Sequence, residues 1–193
     1  MSYLFNSQPL DDAFKAMAQT VLINDEPQQA VITTAHLGEK ERKHISSLQK
    51  FSQGDYVQFN DELYLIIEEV EGKRHNKYRA TMALCNFRIT IKGETIRVQI
   101  GKDEFGRPIY QTTNLPDTYV HGVINKADRR LQLTGQMSVV NSRLYIDVQD
   151  NPDNVTKLAV NKTFPFKDKA IKVLSHDRSN NGRLGLLVGI ELP

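Results

Sequence analysis

Apolar and polar residues alternate along Glu94 to Ile100, with Ile96, Val98 and Ile100 on one side of an extended chain. That period of two predicts a half-buried strand. The densest patterning lies between Phe51 and Lys92, which reads as three consecutive strands separated by turns. Gly54-Asp55 opens the first, YVQF, and Asn60-Asp61 makes a short hairpin turn, because Asn and Asp tolerate a left-handed backbone. The second, Leu63 to Val70, is apolar at Leu63, Leu65 and Ile67 and again at Tyr64 and Ile66, so both of its faces are expected to be covered. A polar turn, Glu71 to Lys77, leads to a third strand from Tyr78 to Ile91.

The flanks continue the pattern. Pro9 followed by LDDAFKAMAQTVL predicts a helix, with Asp11 and Asp12 near its positive end and Leu10, Phe14 and Met17 along one face. That face needs a partner, either the β domain or a neighbouring subunit. Thr20–Ile23 and Ala30–Thr33 flank NDEPQQ as a hairpin, whereas HLGEKERKHISS, His36 to Ser47, predicts an exposed loop. Gly101 to Pro108 is a loop whose hairpin partner is Ile109 to Thr113, and Tyr119 to Ile124 is another short strand. Leu131–Thr134, Met137–Val140 and Leu144–Val148 follow, with Asn141-Ser142 as a tight turn. The acidic DVQDNPDN separates these from strands at Val155–Val160, Thr163–Phe166, Ala170–Leu174 and Leu184–Leu192. Pro165 implies an edge position or a break.

Many short strands after one helix predict a mainly β protein: small β-barrel, SH3-like or sandwich modules with a short N-terminal helix. Residues 1–92 would form the helix and a barrel-like module, and residues 93–193 a second β module, with the last strands free to return and complete the first.

Composition narrows the function classes. A net charge of +2 over 193 residues does not signal a dedicated nucleic-acid binder. One cysteine excludes an internal disulfide framework, and no run approaches the length of a membrane span. The start, MSYLFNSQPLDD, lacks a secretory pattern, so a soluble chain made in the cytoplasm is expected. His36, His44, His75, His121 and His176 lie far apart and fit no metal-binding spacing. Asp147, Asp150 and Asp153 lack the glycine and glutamate of a calcium loop and read as turn formers. Gly101 and Gly106 make no phosphate loop, and Cys85, within MALCNF, reads as a small buried hydrophobe. No enzymatic activity, cofactor or metal is expected. A single-stranded nucleic-acid module of OB type would use Tyr78, Arg79, Phe87 and Arg88, with Lys126, Arg129 and Arg130 as a second cluster. The absence of Trp and the 8% aromatic content weigh against it.

The succession GDYV, NDELYLIIEEVEG, NKYRATMALCNFRI, with the closing NVTKLAVNKTFPFKDKAIKVLSHDRSNNGRLGLLVGIEL, resembles structural proteins of the neck of tailed bacteriophages. The short helix before VLIND and AVITT is similar too. The resemblance implies a virion component at the head–tail junction, of head-closure (stopper) or adaptor type. Such a protein forms a homo-oligomeric ring, retains the packaged double-stranded DNA and meets the portal or adaptor and the tail-side neck proteins, with no membrane involved. It implies interfaces in place of an active site. Lys40, Arg42 and Lys43, then Lys73 and Arg74 in the EGKRHNK turn, and Lys102 and Arg107 in the Gly101–Pro108 loop, would face a neighbouring subunit or the channel lumen. Near-balanced charge suits a channel through which DNA slides.

Overall fold

The structure, a computed structural model, describes residues 8–35, 41–73, 77–126, 143–166 and 169–191. The protein is mainly β with barrel-like sheets, as the patterning predicts, and it has two short helices among the described residues where the patterning predicts one. Helix α1 (Gln8–Met17) precedes β1 (Gln19–Ile23), β2 (Glu26–Thr34), β3 (Arg42–Ser47), β4 (Tyr56–Phe59), β5 (Glu62–Ile66), β6 (Glu71–Lys73) and β7 (Lys77–Leu84). These strands form one antiparallel sheet in the order β3-β2-β1-β4-β5-β7-β6, and β3 also pairs with β7. That last pairing, Arg42↔Ala83 to Ser47↔Tyr78, closes the sheet on itself and removes most of its open edges. β5 and β6 occupy successive halves of the same β7 edge, so residues 67–70 form a break between two short strands. The closed sheet holds Val21, Ala30, Ile45, Phe51, Val57, Tyr64, Ile66 and Met82.

Turn chemistry sets the register. Asn24 and Asp25, then Asn60 and Asp61, all have positive φ, and each pair joins two directly paired strands. On α1 only part of the predicted apolar face is used. Phe14 is buried under the ammonium of Lys77, but Met17 is exposed. The side chain of Leu10 lies outside the described residues.

The second sheet runs β13-β14-β15-β12-β11-β8. Its strands are β8 (Phe87–Ile91), β11 (Thr118–Lys126), β12 (Arg143–Gln149), β13 (Thr163–Phe166), β14 (Lys169–Asp177) and β15 (Arg183–Glu191). Phe87 on β8 meets Phe166 on β13 edge to face, with centroids 5.3 Å apart, which draws the two outer strands together. Ile89, Val120, Ile146, Val148, Leu184 and Leu186 fill the interior. Pro165 lies on an outermost strand, where its missing N–H costs nothing. Between β8 and β11 a separate hairpin, β9 (Thr95–Lys102) and β10 (Pro108–Asn114), stands out as a two-stranded ribbon.

Four expectations are corrected. Arg42–Ser47 is a barrel strand and not an exposed loop: Ile45, Ser46 and Ser47 are buried, and flanking charges at the barrel mouth mask the alternation. The run from Tyr78 to Ile91 is two strands in different sheets, because Cys85-Asn86 leaves the barrel and the Asn86 side chain accepts the Ile124 N–H at 2.8 Å. Val155–Val160 is not a strand. Asn151 caps the helix α2 (Pro152–Lys157), accepting from the Asn154 N–H at 2.7 Å, and Pro152 supplies a preset first turn. Finally, β9 is a strand but not half-buried, since all its residues are exposed. The predicted strands Leu131–Thr134 and Met137–Val140 and the Asn141-Ser142 turn fall outside the described residues.

The two sheets come closest at a pair of glycines. Gly54 and Gly182 have φ of +86° and +73°. A Cβ on Gly182 would stand 2.0 Å from the Gln53 carbonyl oxygen. Gly182→Ala is expected to lower stability by more than about 3 kcal/mol, combining left-handed strain with a backbone clash. Gly106→Ala, with φ of +80° and open space around it, should cost only about 1 kcal/mol. Urea denaturation of both variants measures the contrast, and equal losses would refute it.

Candidate functional site

Polar and apolar groups come together at the seam between the sheets and on the projecting hairpin.

The seam is built from turn and strand ends. The Tyr56 hydroxyl donates to the His121 carbonyl at 2.5 Å and lies 3.5 Å from the Gln149 N–H, which donates to it. Asn24 accepts from the Tyr56 N–H at 3.0 Å and from the Gln149 amide at 3.1 Å. Arg183 reaches across to the Ile67 carbonyl at 2.9 Å and lies 3.7 Å from the Asp147 carboxylate. Leu65, Ala83 and Val123 form a buried apolar patch beneath, flanked by Tyr56, Ile67 and Cys85. Burial raises the Tyr56 hydroxyl well above its ordinary value, although the Gln149 hydrogen bond opposes this. His121 is held below the ordinary histidine range by burial first and by the Arg88 charge second. A cleft of about 530 Å³ opens here, lined by Asn24, Gln58, Tyr119, His121, Gln149 and Asn151 among others. Several of its amides are already bonded to one another, so the cleft wall is a strut between sheets.

Asp147, Asp150 and Asp153 point to separate cations. Asp150 pairs with Arg178 at 2.8 Å, Asp153 with Lys157 at 3.8 Å, and Asp147 lies near Arg183. Among the described residues no group of three or more His, Cys, Asp or Glu side chains gathers as a metal site would require.

The basic residues singled out in the sequence are scattered. Lys43 closes the barrel mouth: its ammonium is 3.6 Å from Glu62 and sits 4.9 Å from the Phe59 ring centroid and 4.7 Å from that of Tyr64. Tyr64 donates to Glu62, and that bond, followed by the Lys43 charge, holds the Glu62 carboxyl below its usual range. Arg42 is exposed on the same strand. Lys73 ends β6, with its side chain outside the description, and Lys40 and Arg74 lie outside the described residues. Lys102 and Arg107 flank the tip of the hairpin and are exposed. The aromatic and basic residues of the single-strand reading do not share a face. Tyr78 packs on the first core and Phe87 on the second, while Arg88 covers Tyr119 at 4.6 Å. Lys126 ends β11 with its side chain undescribed, and Arg129 and Arg130 lie outside the described residues.

Hydrogen bonds order the hairpin at both of its ends. At the tip, Asp103 accepts the Phe105 and Arg107 N–H groups at 2.9 and 2.7 Å, and Gly106 turns with positive φ. This presents Phe105 to solvent at 84% exposure. At the base, the Gly93 N–H donates to Asp117 at 2.9 Å, and a Cβ at Gly93 would strike the Leu115 carbonyl at 1.8 Å. The sequence supplies this arm as strict alternation, but nothing in the alternation tells which surface covers it.

A closed barrel bonded to a second barrel-like sheet, with one hairpin projecting, defines a two-module, mainly β protein. A model of the YomX N-terminal domain matches residues 2–84, and one of the YomX C-terminal domain matches residues 66–188. The chain belongs to the YomX family, a phage-type protein. No curated protein and no solved structure matches it.

Two outcomes follow for the seam. Tyr56→Phe leaves the His121 carbonyl unpaired in a part-buried setting and should cost about 1–3 kcal/mol in urea denaturation; an unchanged midpoint would remove the phenol from the joint. Burial pushes the Cys85 thiol up to about 12. The native protein should therefore resist Ellman's reagent at pH 8 and react only once unfolded. Because the folded value lies above the unfolded one, this thiol's contribution to stability is intact below about pH 9 and is lost as pH rises towards 12.

Proposed function

We propose that this protein is a structural component of the phage head–tail junction, forming a ring that closes the DNA-filled head, docks the tail, or both. The observation that carries the reading is the projecting hairpin on a hydrogen-bonded two-module body, in a chain of a phage-type family. Such a body offers a fixed geometry from which an apolar arm reaches outwards, as assembly requires. Function then resides in contacts between copies and with the portal or adaptor above and tail-side proteins below, and no catalysis is proposed. Lys102 and Arg107 lie where a neighbour or the lumen would meet them. Packaged double-stranded DNA passes close by without specific recognition.

The experiment is deletion of the gene from a producing phage. Heads should then form but lose DNA, or fail to join tails, in negative-stain micrographs and infectivity counts. Particles that retain DNA and attach tails normally would overturn the proposal. The competing reading, a single-stranded nucleic-acid module, requires salt-sensitive affinity for oligonucleotides, which fluorescence anisotropy at two ionic strengths would expose.

A further inference from the structure

The cleft at the seam holds two kinds of polar group. Asn24, Gln149, Asn151 and Asn154 spend theirs on one another and on the backbone, and these make the strut. Asp25, Gln58, Tyr119 and His121 line the same cleft, and their side chains form no hydrogen bond with another described residue. They come from both walls. Gln58 stands on the outer face of the barrel between Leu22 and Leu63, its register partners on β1 and β5. Tyr119 and His121 flank Val120, whose side chain enters the second core, so both face outwards. The guanidinium of Arg88 steadies the Tyr119 ring from 4.6 Å, and the residue is still 51% exposed. At about 530 Å³ the space falls within the roughly 300–1,000 Å³ of small-ligand sites.

Charge narrows what fits. Among the described residues no lysine or arginine lines the cleft, so a phosphate or carboxylate ligand would meet no cation there and would be repelled by Asp25. Asp150 spends one oxygen on Arg178 at 2.8 Å and buries the other, which leaves Asp25 as the one carboxylate on offer among the described lining residues. A single carboxylate falls short of the oxygen cage that calcium takes. A wholly apolar ligand would strip water from Asp25, Gln58 and His121 and return no hydrogen bond. A neutral, polar molecule is what remains. The Gln58 amide, the Tyr119 phenol and the imidazole of His121, which burial and then Arg88 keep neutral at pH 7, can each donate and accept. A pair of neighbouring sugar hydroxyls has the same double capacity. The C–H face of a pyranose ring in turn matches the open part of the Tyr119 ring and the half-buried Leu22 and Leu63.

We propose that the cleft between the two modules binds a neutral sugar, with its ring against Tyr119 and its hydroxyls bonded by Gln58, His121 and Asp25. The strut beneath fixes the two walls relative to each other, so the binding groups are positioned before the ligand arrives and less freedom is lost on association. Sugar binding goes beyond the junction reading and stands or falls without it.

The test uses the full chain and the methyl glycosides of glucose, galactose, mannose and N-acetylglucosamine. Saturation-transfer difference NMR should show transfer from the protein to at least one of them, and titrating that glycoside into ¹⁵N-labelled protein should shift the Gln58 side-chain amide signals. Two variants remove exposed lining groups: Tyr119→Ala takes away the ring, and Gln58→Leu keeps the bulk and loses the amide. Each should weaken binding at least about tenfold, whereas Tyr110→Ala, an exposed ring on the hairpin, should leave it within about twofold. Circular dichroism checks that each variant folds, and if one does not, the other carries the comparison. Silence from all four glycosides, or folded cleft variants that bind as the unaltered chain does, would overturn the inference. So would a Gly-Arg-Gly peptide that shifts the Gln58 signals where the glycosides do not, which would give the cleft to a basic segment of a protein partner.

Discussion

The joint between the two sheets turns on the phenol of Tyr56. Where the two sheets meet, backbone groups are part-buried, and each one left unpaired would cost about 1–3 kcal/mol. One hydroxyl deals with two of them, donating to His121 and accepting from Gln149. Nearby, the Ile67 carbonyl takes both the Gln53 amide and the Arg183 guanidinium. Apart from the Gln53 bond, these join residues of different modules, so the seam cannot form from either module alone. Gly54 and Gly182 allow the approach, since no side chain fits where their backbones touch.

With the seam satisfied, unpaired hydrogen-bonding capacity moves elsewhere. The first sheet closes through β3 and β7, and the second draws its outer strands together through Phe87 and Phe166. Pro165 blunts one outermost strand. The hairpin has no such protection, and it also carries the longest exposed aliphatic stripe among the described residues. The hairpin thus leaves both its outer edges and its aliphatic side chains open. Lys43, by contrast, is spent inside the barrel mouth on Glu62, Phe59 and Tyr64.

The sequence made local chemistry legible and left long-range choices hidden. Asn24-Asp25 and Asn60-Asp61 are readable because their left-handed backbone is a property of the residues themselves. Mainly β architecture follows from period-two patterning. The strand at Arg42–Ser47 was hidden because its inward position at the mouth is a lysine, stabilised by partners on other strands. Helix α2 was hidden because Asn151-Pro152 serves equally as a turn and as a cap, and only Leu158 and Val155 packing on the second core decides between them. Cys85-Asn86 lies within an unbroken β-forming run, so the switch of sheets has no compositional mark. Of the site, the loop carrying Lys102 and Arg107 was visible as a loop, but its display on an uncovered ribbon depends on what the rest of the fold leaves alone.

The strands of the closed barrel all lie between residues 19 and 84, whereas β8 pairs with β11, which begins at Thr118, and the last strand of their sheet ends at Glu191. During synthesis the barrel can therefore shut while the remaining hundred or so residues are still to be made, an interval of about 5–20 s at ordinary elongation rates. Through that interval the aliphatic ribbon emerges already tethered to a folded neighbour in its own chain. The order of the modules along the polypeptide thus gives the ribbon a finished anchor from the moment it is made, while the sheet that flanks its base is still being completed.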